Sequence, residues 1–109
     1  MVERVEKLED LLQEMVDRGA SDLFLKAGSR PAMRIDGEIV LTDYGEMSMD
    51  ETQAIALQLM TPEQAEYFAR IPEMDLAVGV RGIGRFRVNI FRQRGSVGLV
   101  FRYISNPTF

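Results

Sequence analysis

The chain has 109 residues, 46% hydrophobic and 28% charged, enough for one domain with a real core and too apolar for disorder along its length. It contains no cysteine and no histidine, which excludes a disulfide framework, thiolate chemistry, any Ser-His-Asp triad and the commonest metal ligand. The net charge of −4 is split: residues 1–76 carry 17 acidic and 7 basic side chains, whereas residues 77–109 carry six arginines and no acid. Two readings of those arginines stand open: ion pairs with the acidic half, or a basic face for an anion such as nucleic acid, a nucleotide phosphate or an acidic partner. No apolar run approaches the ~18 residues of a membrane span, and residues 1–6 are charged rather than signal-like. The cytoplasm is the expected compartment.

In chain order, Val5, Leu8, Leu12 and Met15, widened by Leu11 and Val16, repeat at helical spacing and predict a helix over 3–18. Glu3 and Lys7 would form an i,i+4 pair, and Gly19 would end the helix in the left-handed conformation. Residues 21–26 read as a largely buried strand and 27–31 as a loop. Residues 33–35 and 38–41 flank Asp36-Gly37, the signal of a tight hairpin with positive φ at both turn residues. Ser48 and Glu51 form a capping box that opens a helix to about Met60, burying Ile55 and Leu59. Thr61, Pro62 and Gln64 open another, which buries Ala65 and Phe68 and stops before Pro72.

Strands follow from residue 74. Gly82 and Gly84 bracket a turn. Phe86, Val88 and Ile90 face one side of the next strand, and Arg85, Arg87 and Asn89 the other. After a turn at 94–96, Leu99, Phe101 and Tyr103 oppose Val100, Arg102 and Ile104. Helix, three strands, two helices and three strands make an α+β domain, an antiparallel sheet with helices packed mainly on one face.

Little of this sequence carries chemistry by itself. The glycines of residues 79–84 lead into a strand and lack the Gly-Lys-Ser/Thr that opens a phosphate-binding helix, so they read as a turn. Asp22, Asp36, Asp75, Glu38 and Glu73 have no metal-ligand spacing. Asp36 is a turn former, and Asp22 is expected to cap backbone or to pair with an arginine. Arg85 and Arg87 share a strand face with Asn89, and pairing through the Gly95 turn brings Arg102 near them. Guanidinium groups grip phosphate bidentately and stay charged; the alternative for each is an ion pair. Arg92 and Arg94, at a strand end, read as solvated. Residues 81–88 are faintly similar to an RRM octapeptide, but Ile83 and Arg85 are the wrong types for base stacking, and a pI near 4.8 opposes nucleic-acid binding.

Three stretches carry a resemblance: residues 19–28 (Gly-Ala-Ser-Asp-Leu-Phe-Leu-Lys-Ala-Gly), residues 33–37 (Met-Arg-Ile-Asp-Gly), and residues 81–91 with 97–102 (Arg-Gly-Ile-Gly-Arg-Phe-Arg-Val-Asn-Ile-Phe, then Val-Gly-Leu-Val-Phe-Arg). In order and spacing the chain resembles the N-terminal domain of the type IV pilus retraction ATPases, the PilT/PilU family of secretion ATPases. Phe24 stands where the PilT pattern has histidine, which places the resemblance nearer the PilU branch. The resemblance implies a PAS-like N-terminal domain over 1–105 and, at 106–109, the start of a linker to a RecA-like ATPase domain absent from this chain. Alone, the fragment would hydrolyse nothing and hold no cofactor or metal; the full-length parent would use ATP and Mg. In the wider family two arginines of this domain reach the nucleotide phosphates on closure. By motif these are Arg87 and Arg102, with Arg85 as the substitute.

The implied partners are the ATPase domains of its own and neighbouring subunits in a homo-hexamer, the pilus machinery at the inner face of the inner membrane, and a paralogous retraction ATPase, with no nucleic acid. The implied role is nucleotide sensing and subunit packing in a motor for twitching motility, the isolated domain being a monomer or weak dimer. A stand-alone PAS-like ligand sensor is the other reading, though the sequence offers no buried polar cluster or cysteine for a cofactor. An RNA-binding module is the third.

Overall fold

A computed structural model describes residues 6–105. Helix α1 (Glu6–Asp17) turns Leu8, Leu11, Leu12 and Met15 into the core. It closes on Gly19 at φ +67°, where the N–H groups of Gly19 and Ala20 donate to the carbonyls of Val16 and Met15 at 3.1 and 2.9 Å, the two bonds of a left-handed helix stop. Glu3 and Val5 lie outside the described residues. Lys7 reaches Glu51, Nζ to Oε2 2.9 Å.

Strands β1 (Asp22–Lys26), β2 (Ala32–Ile35) and β3 (Glu38–Leu41) form an antiparallel meander. Its last turn has Asp36 and Gly37 at φ 51° and 82°, as an Asp-Gly hairpin requires. Helix α2 (Met49–Leu59) starts on Ser48, whose hydroxyl accepts the Glu51 N–H at 3.0 Å while the Glu51 carboxylate accepts the Ser48 N–H at 2.8 Å. That backbone bond, with the Lys7 ammonium, holds the Glu51 carboxyl below its ordinary value. Helix α3 (Pro62–Arg70) opens on the same reciprocal pattern between Thr61 and Gln64. Strands β4 (Glu73–Val80), β5 (Gly84–Gln93) and β6 (Ser96–Ser105) make a second antiparallel meander, with Gly82 at φ 81° in its first turn and Arg94 and Gly95 at 55° and 82° in its second.

The sheet order is β3-β2-β1-β6-β5-β4. The two meanders therefore meet along one seam, β1 against β6, running antiparallel from Asp22↔Arg102 to Lys26↔Gly98. Alternation along each strand sends Leu23, Leu25, Met33, Phe86, Val88, Ile90, Leu99 and Phe101 to one face, where they pack with α1 and with Ile55, Ala56 and Phe68 of the other helices. The expected α+β architecture holds, with Leu59 and Ala65 only partly buried at its margin.

One expectation needs correction. Arg92 is not solvated. Its guanidinium carbon lies 4.2 Å from the centre of the Phe68 ring, and Nη2 donates to the Phe68 carbonyl at 3.0 Å. Strand β5 runs on to Gln93 and delivers this side chain against the C-terminal turn of α3, where a cation satisfies a carbonyl that the helix leaves unpaired. Arg94 is exposed, as expected.

Candidate functional site

The sheet face opposite the helices collects Asp22, Arg34, Asp75, Arg87, Asn89 and Arg102, with Ile39 and Leu41 of β3 at its edge. Register fixes which of them are neighbours: Arg34 lies opposite Asp22, Asp22 opposite Arg102, and Arg102 opposite Arg87. A single row across four strands thus reads arginine, aspartate, arginine, arginine.

Asp22 is the anchor of the row and is only 3% exposed. Its Oδ1 accepts from Arg102 Nε at 3.1 Å. Its Oδ2 accepts from the Ser21 hydroxyl at 2.8 Å and lies 3.3 Å from Arg34 Nε. A buried carboxylate without such partners would be costly; here both oxygens are engaged. The Arg34 guanidinium also lies 5.5 Å from the centre of the Phe24 ring. The expectation that Asp22 pairs with an arginine holds twice over.

Arg87 has no carboxylate partner among the described residues. Directly opposed cationic side chains on a sheet face repel, so Arg87 and Arg102 form a positive spot that an anion would relieve. Beside them Asn89 donates to Glu73 Oε2 at 3.0 Å and Asp75 Oδ1 at 2.9 Å, which ties the β4 acids to the next row. Asp22, Asp75, Arg87, Asn89 and Arg102 line an open cleft of about 360 Å³. Arg85 is exposed but does not line the cleft; a register shift between Arg85 and Phe86 sets it opposite Ser105.

The structure thus brings together Arg87 and Arg102, leaves Arg85 apart, and adds Arg34, which the sequence reading did not select. The signal for Arg34 was present in the hairpin: the Asp36-Gly37 turn fixes Arg34 opposite Ile39, on the face away from buried Met33. What was missing was the β1–β2 register that puts it against Asp22.

Other chemistries find no support among the described residues. No cluster of acids is placed to hold a metal ion, and no helix is long and apolar enough to cross a membrane. The buried polar side chains are Asp22, Thr42 and Thr52, and no buried side-chain nitrogen or oxygen lacks a hydrogen-bond partner. The glycine-rich stretch is a turn, closed by the Ile83 N–H on the Val80 carbonyl at 3.0 Å.

No family model matches the chain. Among curated proteins, the type IV pilus ATPase PilU of Pseudomonas aeruginosa is 41% identical over 98 residues, which is 90% of this chain and 26% of PilU. The type IV pilus retraction ATPase PilT of the same organism is 36% identical over 95 residues, 87% of this chain and 28% of PilT. The chain spans about a quarter of the length of these relatives, in their N-terminal part. Among solved structures, the pilus retraction motor PilT with bound ADP superposes with a TM-score of 0.81 at 37% identity, over 92% of this chain and 29% of that one. The Legionella pneumophila ATPase DotB shares the fold at 17% identity, with a TM-score of 0.77 over 90% of this chain and 28% of its own. Sequence and fold agree over nine-tenths of the residues: the chain corresponds to the N-terminal portion of the PilT/PilU family of type IV pilus ATPases.

Proposed function

We propose that this chain is the nucleotide-sensing and subunit-packing domain of a hexameric type IV pilus retraction motor, with Arg87 and Arg102 as its phosphate contacts and Arg85 in reserve. The observation that carries the reading is the direct pairing of Arg87 with Arg102 on the open sheet face, Arg102 partly neutralised by Asp22 and Arg87 without a carboxylate partner among the described residues. Two guanidinium groups held this close repel until an anion enters between them, and phosphate oxygens match their donor geometry. Closure of the domain over an ATPase core would bring the pair to the nucleotide. Release would restore the repulsion and favour opening, so nucleotide state and domain position would be coupled.

In this reading residues 1–105 are the domain and 106–109 begin the connection to a RecA-like core. The longer protein takes ATP with Mg and works as a homo-hexamer on the cytoplasmic side of the inner membrane. It acts on the pilus machinery, alone or beside a paralogous motor. The fragment has no nucleotide-hydrolysing role of its own.

The test is steady-state ATPase of the longer motor carrying Arg87→Ala or Arg102→Ala. Each should lower turnover on the order of 10–100-fold, the loss of one sensing contact. Lysine should rescue poorly, because it keeps the charge and loses the fork. Arg70→Ala, an exposed change in the last turn of α3, is the control. Wild-type turnover in both test variants would overturn the reading.

A further inference from the structure

Two residues of the row across the open face, Arg34 and Asp22, have no assigned part in phosphate contact, and Asp22 is the most buried of the four. We propose that Asp22 is a positioning residue: it grips the Arg102 guanidinium by its Nε side and leaves the terminal nitrogens turned outward for an anionic phosphate oxygen. The inference rests on the nucleotide reading above and assigns a part to a residue outside that contact set.

Three observations carry it. First, the bond runs from Nε alone, at 3.1 Å to Oδ1, and no bond from either terminal nitrogen of Arg102 is made within the described residues. An arginine offers two hydrogen-bonding edges, and a hold at Nε leaves the end-on pair available. Second, burial differs sharply between the partners. The Asp22 side chain is 5% exposed and the Arg102 side chain 70%. The carboxylate therefore holds from beneath the sheet surface while the far end of the arginine stands in the cleft. Third, Asp22 is itself held from the other side by Ser21 and Arg34. Arg34 continues to balance the buried carboxylate while Arg102 shares its charge with a ligand, so phosphate binding need not strip Asp22 of its only cation.

The rival mechanism is competition, in which Asp22 occupies Arg102 and phosphate must displace it. The two differ in sign. If Asp22 positions, its loss weakens nucleotide binding, because Arg102 becomes a free side chain on an open face and must be ordered by the ligand. If Asp22 competes, its loss strengthens binding.

The experiment titrates a non-hydrolysable ATP analogue into the longer motor, measuring Kd for wild type, Asp22→Asn, Asp22→Glu, Arg87→Ala, Arg102→Ala and the Asp22→Asn/Arg102→Ala double variant. Thermal melts accompany each protein. Positioning predicts a Kd raised about three- to tenfold in Asp22→Asn, the scale of one charge-assisted contact made less well. Asp22→Glu, which keeps the carboxylate, should retain most of the affinity. The double variant should bind no worse than Arg102→Ala alone, because Asp22 acts only through that side chain. A merely structural role would not produce this non-additivity. A Kd lowered by Asp22→Asn overturns the inference in favour of competition. An unchanged Kd beside a raised one for Arg102→Ala overturns it outright, as does a double variant weaker than Arg102→Ala by the full Asp22→Asn factor. If Asp22→Asn does not fold, Asp22→Glu decides: loss of affinity equal to that of Arg102→Ala in a folded protein also overturns it. Wild-type affinity in both Arg87→Ala and Arg102→Ala instead removes the nucleotide reading, and this inference with it.

Discussion

The two faces of the sheet are made by the same strands and obey opposite rules. Toward the helices, Phe86, Val88, Ile90, Leu99 and Phe101 are fully or almost fully buried, and neighbours are selected by volume. On the other face, Arg34, Asp22, Arg102 and Arg87 stand in register and are selected by charge. One residue of offset along a strand separates the two regimes. The lesson is that core packing and surface charge can be altered almost independently here, and substitutions on each face should show it.

The largest effect belongs to the helix-covered face. Phe101→Ala empties a site at the centre of the core and should cost about 3–5 kcal/mol, read as a lower midpoint in urea unfolding. A cost below 1 kcal/mol would mean that the faces are not divided as described. On the open face the two arginines should part company. Arg102→Ala leaves buried Asp22 with Arg34 as its remaining cation and should cost roughly 0.5–1 kcal/mol. Arg87→Ala removes a repulsion and should leave stability unchanged or raise it by a few tenths of a kcal/mol. The Arg87 gain should fade as salt is added, since the screening length falls to about 8 Å at physiological ionic strength.

A smaller effect is expected where the open face is apolar. Gly98 on β6 lies against the Phe91 ring of β5, and a Cβ at Gly98 would collide with the far edge of that ring. The ring is partly exposed and can swing aside, so Gly98→Ala should cost less than about 1 kcal/mol. In a Phe91→Ala background the penalty should vanish, which a four-member denaturation cycle would show. The smallest effect is at the start of α2. Glu51 has its carboxyl held below the ordinary 4.5 by the Ser48 N–H, then by Lys7. Its contribution is complete above that ordinary value and is lost as the pH falls through the lower folded value. Acid titration of the melting temperature should therefore drop less in Glu51→Gln than in wild type, by a small margin because the pair is partly solvated.

Much of the covered face could be read from periodicity alone, because burial there is a property of each residue. The α1 stripe, both capping boxes and the Asp-Gly hairpin depend on residues within a few positions of one another, and all are found. The open face was legible only in part. Alternation put Arg87 and Arg102 outward, but their adjacency depends on the β5–β6 register, which the tight Arg94-Gly95 turn made accessible. Asp22 meets Arg102 through a β1–β6 pairing that spans 80 residues, and no local signal encodes it; Arg34 joins the row only through the β1–β2 register. Arg92 failed for a related reason. Its partner, the end of α3, is distant in sequence and is reached only once the sheet has formed.

The seam between β1 and β6 also dictates how the molecule is made. β1 is among the first elements to leave the ribosome and β6 the last of the described ones, yet they are neighbours at the middle of the sheet. While the remainder is being synthesised, the first meander waits with the β1 edge bare, a row of backbone donors and acceptors open to wrong partners. Closing the seam is a non-local step, with the entropy cost of a long loop and the slow rate that high contact order brings. The Asp22–Arg102 pair spans that seam at its first register position. It forms only when both halves are present, so the same contact that shapes the open face also marks the moment at which a nascent chain becomes a domain.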